Sequence, residues 1–525
     1  MNNSRIIFAV TLSVFLLQSN SLVGQVLNVD VGDSNCNDDL GMPYCDIRRA
    51  VLDASSGDKI KLAPGNYTGT VVIDKHLEII GEDAKNTFIE GGPFGRRAIL
   101  IKSIPIDSLD VERTTVSISN VTIQNGRDVI DGGGILNTGN LTLSNCVITN
   151  NAADTSGGGI YSDLDLVIDN CIISNNRSQS ISKINNTDIQ GGGGIYSSGN
   201  LTLRNSQVID NQSRDHGGGL YLTVYNYAKY SLIENTVFTN NSGYSVGAIY
   251  NNGSTTKIKN SAFDRNSGSG KDSVGGAISN TFVGELNIVN STFSQNRATL
   301  RGGAIYHNST GDTFLYNVTI ANNSTGMASG RGGGIYRNSG GHVYLQNTLL
   351  SNNSANEDFG ADCGGLIFSR GYNLISDANN CDIEINTEDQ FGYESPIDAK
   401  LDVFADNGGS TKTHALIEGS PAINSGDVNG CRDSDENLLL VDQRGKPRPE
   451  ADDIQCDIGA FEGVVAEKID PVDSEQPTNK NVNEENTDDI ASLKTSAGSL
   501  SILSLLFLFL MPVAVHKILM YRKVR

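Results

Sequence analysis

Six tyrosines occupy one repeating position. Tyr161, Tyr196, Tyr221, Tyr250, Tyr306 and Tyr336 each follow a Gly-Gly-x-Ile/Leu motif or its degenerate copy, and the column breaks at Leu136 and Ser279. Alternation along a strand puts the Ile and the Tyr on opposite faces. If the Ile points inward, the rings form an exposed stripe able to stack against sugar rings. The same spacing suits a stacked ladder that stabilises neighbouring turns of chain, and both readings stay open at this level. The residue before each Gly-Gly motif forms a second column: Asp131, Ser156, Gly191, His216, Ser245, Val274, Arg301 and Arg331. Asp215-His216 and the two arginines would line a groove for an acidic sugar, where elimination needs a base and a cation beside the enolate carboxylate. Polar residues at turns are normally only solvated, and no residue here is assigned a catalytic role.

Glycosidic hydrolysis would require two carboxyl groups facing one another across a cleft. The candidates, Asp128 with Asp131 or Asp154 with Asp163 and Asp165, are scattered and belong to no motif. Asp427, Asn429, Asp433, Asp435 and Asn437 alternate oxygen ligands in a way that would suit calcium, but without the spacing and glycine of an EF-hand loop. A solvated acidic loop is the simpler account, so no metal site and no cofactor are assigned. The eight cysteines fall as near neighbours: Cys36 and Cys45, Cys146 and Cys171, Cys363 and Cys381, Cys431 and Cys456. None forms a CxxC pair, and four local disulfides in an oxidising compartment is the natural reading. With 39 Lys and Arg against 60 Asp and Glu, the net charge of −21 leaves no basic stripe for nucleic acid.

These side chains are positioned by a repeat. The template Asn-x-x-apolar-x-x-Asn starts at Asn120, Asn145, Asn170, Asn205, Asn235, Asn260, Asn290, Asn317 and Asn347, at spacings of 25 to 35 residues. The third residue on is always apolar, from Ile123 to Leu350, and the sixth is Asn in every repeat after Gly126. Short runs such as Leu141-Thr-Leu143 alternate with period two and read as strands. Three short strands and three turns per repeat make one coil of a parallel β-helix, and a single coil cannot bury its inner face, so coils must stack. The first Asn of each coil is expected over its predecessor at an inward turn, its amide bonding along the axis as a ladder.

The flanks complete the plan. Residues 1–24 read as a signal peptide and 25–58 as an N-terminal cap, in which Ile47, Val51 and Ala54 have helical spacing. The β-helix is expected over 59–362, a loop-rich C-terminal module over 363–462, and an acidic disordered stalk over 463–496. Residues 497–525 read as a transmembrane sorting tail: an apolar run over 500–515 followed by Lys517, Arg522, Lys523 and Arg525, which set that end in the cytoplasm.

The GGGI and GGAI motifs with a downstream apolar-x-x-Asn resemble right-handed parallel β-helix proteins of the pectin lyase-like class and chlamydial polymorphic outer-membrane proteins. CDIRRAV at 45–51, with Cys36 upstream, is similar to the CSLREA segment of bacterial surface β-helices. DNGGSTKTHAL (406–416), GSPAI (419–423), DQRG (442–445), Arg448-Pro449 and CDIGAFE (456–462) resemble the bacterial "choice-of-anchor Q" domain. The resemblance implies an all-β, right-handed, pectin lyase-like solenoid on an exported bacterial surface protein, with no defined reaction. The expected function is accordingly non-enzymatic adhesion or glycan contact. The alternative is an extracellular polysaccharide lyase or glycoside hydrolase of the same class. Expected partners are the membrane, through the tail, a polysaccharide or neighbouring surface, and a sorting protease.

Overall fold

The computed structural model describes residues 24–465 apart from 40–42, 93–94, 106–110, 129, 180–190, 225–228, 357–359, 387, 451–452 and 454. The signal peptide, nearly all of the stalk and the apolar tail lie outside the described residues. Among the described residues no helix is long and apolar enough to cross a membrane.

One coil explains the rest. Residues Ile135–Asn137, Asn140–Ser144, Val147–Thr149 and Ala152–Ala153 form four short strands, and each pairs in parallel with its counterpart one coil on. Repeated along the chain, these strands build an 11-stranded sheet, an 8-stranded sheet of two-residue strands, and a 25-stranded sheet that turns a corner. The corner is made by the first Asn of each repeat, which holds φ between 44° and 57° from Asn120 to Asn347. Asn enters this left-handed region at lower cost than other side chains, which is why it recurs. A second left-handed residue follows five positions later, from Asn125 to Asn352, with Asp210, Arg265 and Gln295 among them.

The strict two-residue period sends one face of each strand inward. Ile148, Ile173, Val208, Phe238, Phe263, Phe293, Ile320 and Leu350 share one register and are buried in a single core. Phe238, Phe263 and Phe293 stack face to face at 4.9 and 4.6 Å. The Ile or Leu that ends every Gly-Gly motif is buried in the same core.

The rod is longer than the repeat suggests. Val26–Val29 already pairs with Asp58–Leu62, and strands Leu366–Ser369, Leu374–Ile375, Asp382–Glu384 and Gln390–Phe391 continue the stacking past residue 362. The short helix Ile47–Asp53 buries Ile47, Ala50 and Val51 in the core, and the Asp46 carboxylate accepts from the Arg48 amide as its cap.

Two expectations need correction. Three cysteine pairs are bonded, Cys36–Cys45, Cys363–Cys381 and Cys431–Cys456, but Cys146 and Cys171 are buried thiols. They do lie on adjacent coils, where the Cys146 amide donates to the Cys171 sulfur at 3.3 Å. The inward ladder is not the first Asn of the repeat. Asn145 and Asn170 are exposed, bonded through Asn145 Nδ2 to Asn120 Oδ1 at 3.2 Å and Asn170 Nδ2 to Asn145 Oδ1 at 2.7 Å. Further on, Asn205 turns to Asp169, and Asn235 Nδ2 resumes the outer ladder on Asn205 Oδ1 at 3.2 Å. The inward ladder is the Asn six residues later. Asn151, Asn176, Asn211, Asn241, Asn266, Asn296, Asn323 and Asn353 are all buried, and each Nδ2 donates to the next Oδ1 at 2.9–3.0 Å. The second corner precedes this residue and aims its side chain inward, where an amide must find both donor and acceptor partners.

Candidate functional site

The tyrosines form a stack. Tyr161, Tyr196 and Tyr221 lie ring to ring at 4.7 and 5.2 Å, Tyr221 and Tyr250 follow at 5.0 Å, and Tyr306 and Tyr336 resume beyond Ser279 at 6.3 Å. Tyr196 is 0% exposed, Tyr221 6% and Tyr306 7%, while Tyr161, Tyr250 and Tyr336 are half-buried. Of the two readings the sequence left open, the structure has the largely covered ladder. Coils one strand spacing apart press the rings together, so the faces a sugar would need are occupied by neighbouring rings.

The polar column is likewise engaged. The His216 ring stacks on Tyr250 at 4.3 Å. Arg301 donates to Asn338 Oδ1 at 2.9 Å and lies 5.3 Å from the Tyr336 ring centre. Asp131 accepts from the Ser156 amide, and burial raises its carboxyl above the usual range. Asp128 pairs with Arg97 at 2.8 Å, and Asp163 and Asp165 accept from Ser198 and Asn200. In the calcium-like loop Asp433 Oδ1 takes the amides of Asp435 and Asn437, while Asp435 meets Lys257 Nζ at 2.5 Å.

That lysine belongs to the rod, and it introduces a feature the sequence concealed. The chain after residue 397 folds back along the last coils and is fastened by a buried polar network. Arg448 is 3% exposed; it donates to Glu462 Oε2 at 2.7 Å, to Asn290 Oδ1 at 3.0 Å and to the Gly459 carbonyl at 2.8 Å. Arg444 donates to Asp442 Oδ2, and Asp442 also takes the amides of Arg444, Lys446 and Glu462. Burial pushes the Glu462 carboxyl up, against the pull of Arg448. The most distinctive motifs of the module, DQRG, Arg-Pro and CDIGAFE, thus hold the module to the rod.

Where this cover stops, a groove opens. Gln207, Ile209, Val237, Thr239, Asp264 and Arg265 of the rod face Phe404, Asp406 and residues 409–412 of the module across a cavity of about 340 Å3. Asp264 is 3% exposed, and its Oδ2 pairs with Arg265 at 2.7 Å. Its Oδ1 has no hydrogen-bond partner among the described residues. Burial raises the carboxyl, with Arg265 and Lys412 pulling it down. One coil further on, at the same register, Ser294 Oγ meets His414 Nε2 at 3.0 Å and is fully covered. Sequence reasoning passed over Asp264 because its opposite wall comes from about 140 residues downstream. Among the described residues no group of three His, Cys, Asp or Glu side chains is placed to hold a metal ion.

Comparison with known proteins bears on the fold. Residues 107–287 match the right-handed β-helix region, and residues 290–308 match the Chlamydia polymorphic membrane protein repeat. No curated protein matches the chain. Similar solved structures include pectate lyase Pel9A, with 14% identity, TM-score 0.41, and coverage of 84% of this chain and 96% of that one. XylC in complex with xylose has 10% identity, TM-score 0.46, and coverage of 83% and 98%. Pectin methylesterase PemA from Erwinia chrysanthemi has 12% identity, TM-score 0.28, and coverage of 64% and 92%. Its parallel ladders make the chain a parallel β-helix, residues 107–287 of it match the right-handed β-helix region, and residues 290–308 are similar to the Chlamydia polymorphic membrane protein repeat.

Proposed function

We propose that the protein is an exported, surface-anchored rod that contacts glycans or a neighbouring surface without cleaving them. The supporting observation is the register itself: one 25-stranded sheet keeps its coils aligned from Val26 to Phe391, giving a rigid lateral face fixed in place before any partner arrives. Such a face holds its contacts without an ordering cost. The disulfides and the polymorphic membrane protein repeat support exposure outside the cytoplasm. The apolar run at 500–515 with its basic end supports tethering through the tail and handling by a sorting protease. No cofactor is part of this reading.

A second reading, polysaccharide cleavage, has one observation in its favour. Burial raises the Asp264 carboxyl in a groove that also holds Asp406, as a general acid with a partner carboxylate requires. One experiment separates the two. The full chain is incubated with acidic and neutral polysaccharides while new reducing ends and retention are both measured. Retention without new ends is expected; release of ends that disappears in Asp264→Ala would replace the first reading with the second.

A further inference from the structure

The outward faces of successive coils share one register, so they can be compared position by position. Under the module several outward polar groups find partners in it: Thr292 Oγ1 donates to Gln443 Oε1 at 2.6 Å, Ser294 meets His414, and Thr319 Oγ1 accepts from the Ala460 amide at 3.0 Å, while the Ser351 hydroxyl, two coils past Ser294 in the same register, has no partner among the described residues. Asp264 occupies the register of Ser294 one coil earlier, at the edge of the cover, and there the partnering fails. A buried carboxyl oxygen without a donor is rare in folded proteins and marks a place where a ligand can donate.

The surroundings of that oxygen define the ligand. Ile209 and Val237 on the floor and Phe404 on the wall are apolar and partly exposed to the groove. Opposite charges balance: Asp264 and Asp406 against Arg265 and Lys412. A balanced site gives no preference for a net charge, and apolar walls with a few fixed polar groups suit a ring that has both a C–H face and a hydroxyl rim. We propose that this groove, between the coils ending in Ile209, Thr239 and Asp264 and the segment 404–412, binds one neutral pyranose ring of a glycan, the Asp264 carboxyl accepting from ring hydroxyls and Val237 and Phe404 meeting its C–H face. The proposal rests on the glycan-contact reading given above and assigns it a subsite.

The test uses the full chain with methyl glucoside, methyl galactoside and methyl mannoside in both anomers, and with glucuronate and glucosamine as charged controls. Binding is followed by saturation-transfer NMR and titration calorimetry, beside the polysaccharide retention assay. At least one neutral glycoside is expected to bind at one site per chain, at least tenfold tighter than either charged control. Affinity should fall at least tenfold in Asp264→Ala and in Val237→Arg, which fills the groove from a half-exposed position and keeps the buried carboxyl. Neutral binding untouched by Val237→Arg overturns the groove and leaves the glycan-contact reading standing. So does retention on polysaccharides without glycoside binding. Preference for a charged control overturns the ligand class. Loss of all retention and all binding in the unaltered chain overturns both.

Discussion

The same corner asparagine does two different things along the rod. In the coils from Asn120 to Asn235 it holds its left-handed φ while its amide lies at the exposed or half-exposed outer face and bonds along the axis to the neighbouring Asn or, at Asn205, to Asp169. In the coils of Asn290, Asn317 and Asn347 the φ is unchanged, but the side chain is buried beneath the module. Asn290 Nδ2 donates to the Val441 carbonyl at 2.9 Å and Asn317 Nδ2 to the Arg432 carbonyl at 3.0 Å. Asn347 Nδ2 donates to Asn317 Oδ1 at 2.7 Å and to the Asp457 carbonyl at 2.9 Å. A residue retained for its backbone in one region has become a docking strip in the other, with no change in the repeat.

The largest test of that difference is the ion pair that fastens the module. Replacing Arg448 by Met leaves Glu462 buried without its cation, and should destabilise the module by about 3–5 kcal/mol. Denaturant unfolding followed by hydrogen exchange should then show residues 397–465 opening well before the coils around Asn145. Simultaneous opening of both regions would mean that the module and rod are one cooperative unit.

Next comes the end of the inner ladder. Asp362 accepts from the Asn353 amide and Nδ2 and from the Asp377 amide, and burial nevertheless raises its carboxyl to about 6 from 3.8. Between those values the folded state holds a proton that the unfolded chain has released. Stability from this group is therefore complete below about pH 3.8 and is lost as pH rises toward about 6. The loss should reach about 3 kcal/mol in total, since each tenfold difference in proton affinity between the two states is worth about 1.4 kcal/mol. Asp362→Asn should flatten that slope in urea titrations at pH 4 and 6; an unchanged slope would assign the dependence to another group.

A smaller effect isolates the amide from the backbone. Glycine tolerates the left-handed corner, so Asn347→Gly removes hydrogen bonds alone and should cost about 2–3 kcal/mol for the buried partners left unpaired. Asn145→Gly, at an exposed corner, should cost under about 0.5 kcal/mol. Equal costs at the two sites would erase the distinction between the regions. The smallest signal is chemical: Cys146 and Cys171 should resist alkylation while folded, then give two thiols per chain on unfolding without reductant. If no thiol is released, the pair is bonded after all.

The repeat made the solenoid and its inward apolar column readable, because a period-two pattern within a coil leaves little choice of face. It did not separate the two asparagine columns. Both recur in nearly every coil, one for a dihedral angle and one for an amide. The neighbouring position would have helped, since Asp210, Arg265 and Gln295 stand at the second corner while the next residue stays Asn. For the tyrosine column the repeat offered an exposed stripe and a stacked ladder and could not choose between them, because exposure depends on what covers the strands. The Arg448–Asn290 contact and the Asp264 groove join segments far apart in sequence, and no local pattern records such a meeting.

The inner ladder also has a direction. From Asn151 to Asn353 every side-chain amide gives its hydrogen to the next coil and receives one from the coil before, so the dipoles lie head to tail and polarise one another. The chain of amides ends on an acceptor, Asp362, whose carboxyl takes both the Asn353 hydrogens and the Asp377 amide. Asp362 stands in the register of Gly334, while the position one coil on from Asn353 is Ala378, so the amide array ends on a carboxylate borrowed from the neighbouring corner although the coils themselves continue to Phe391.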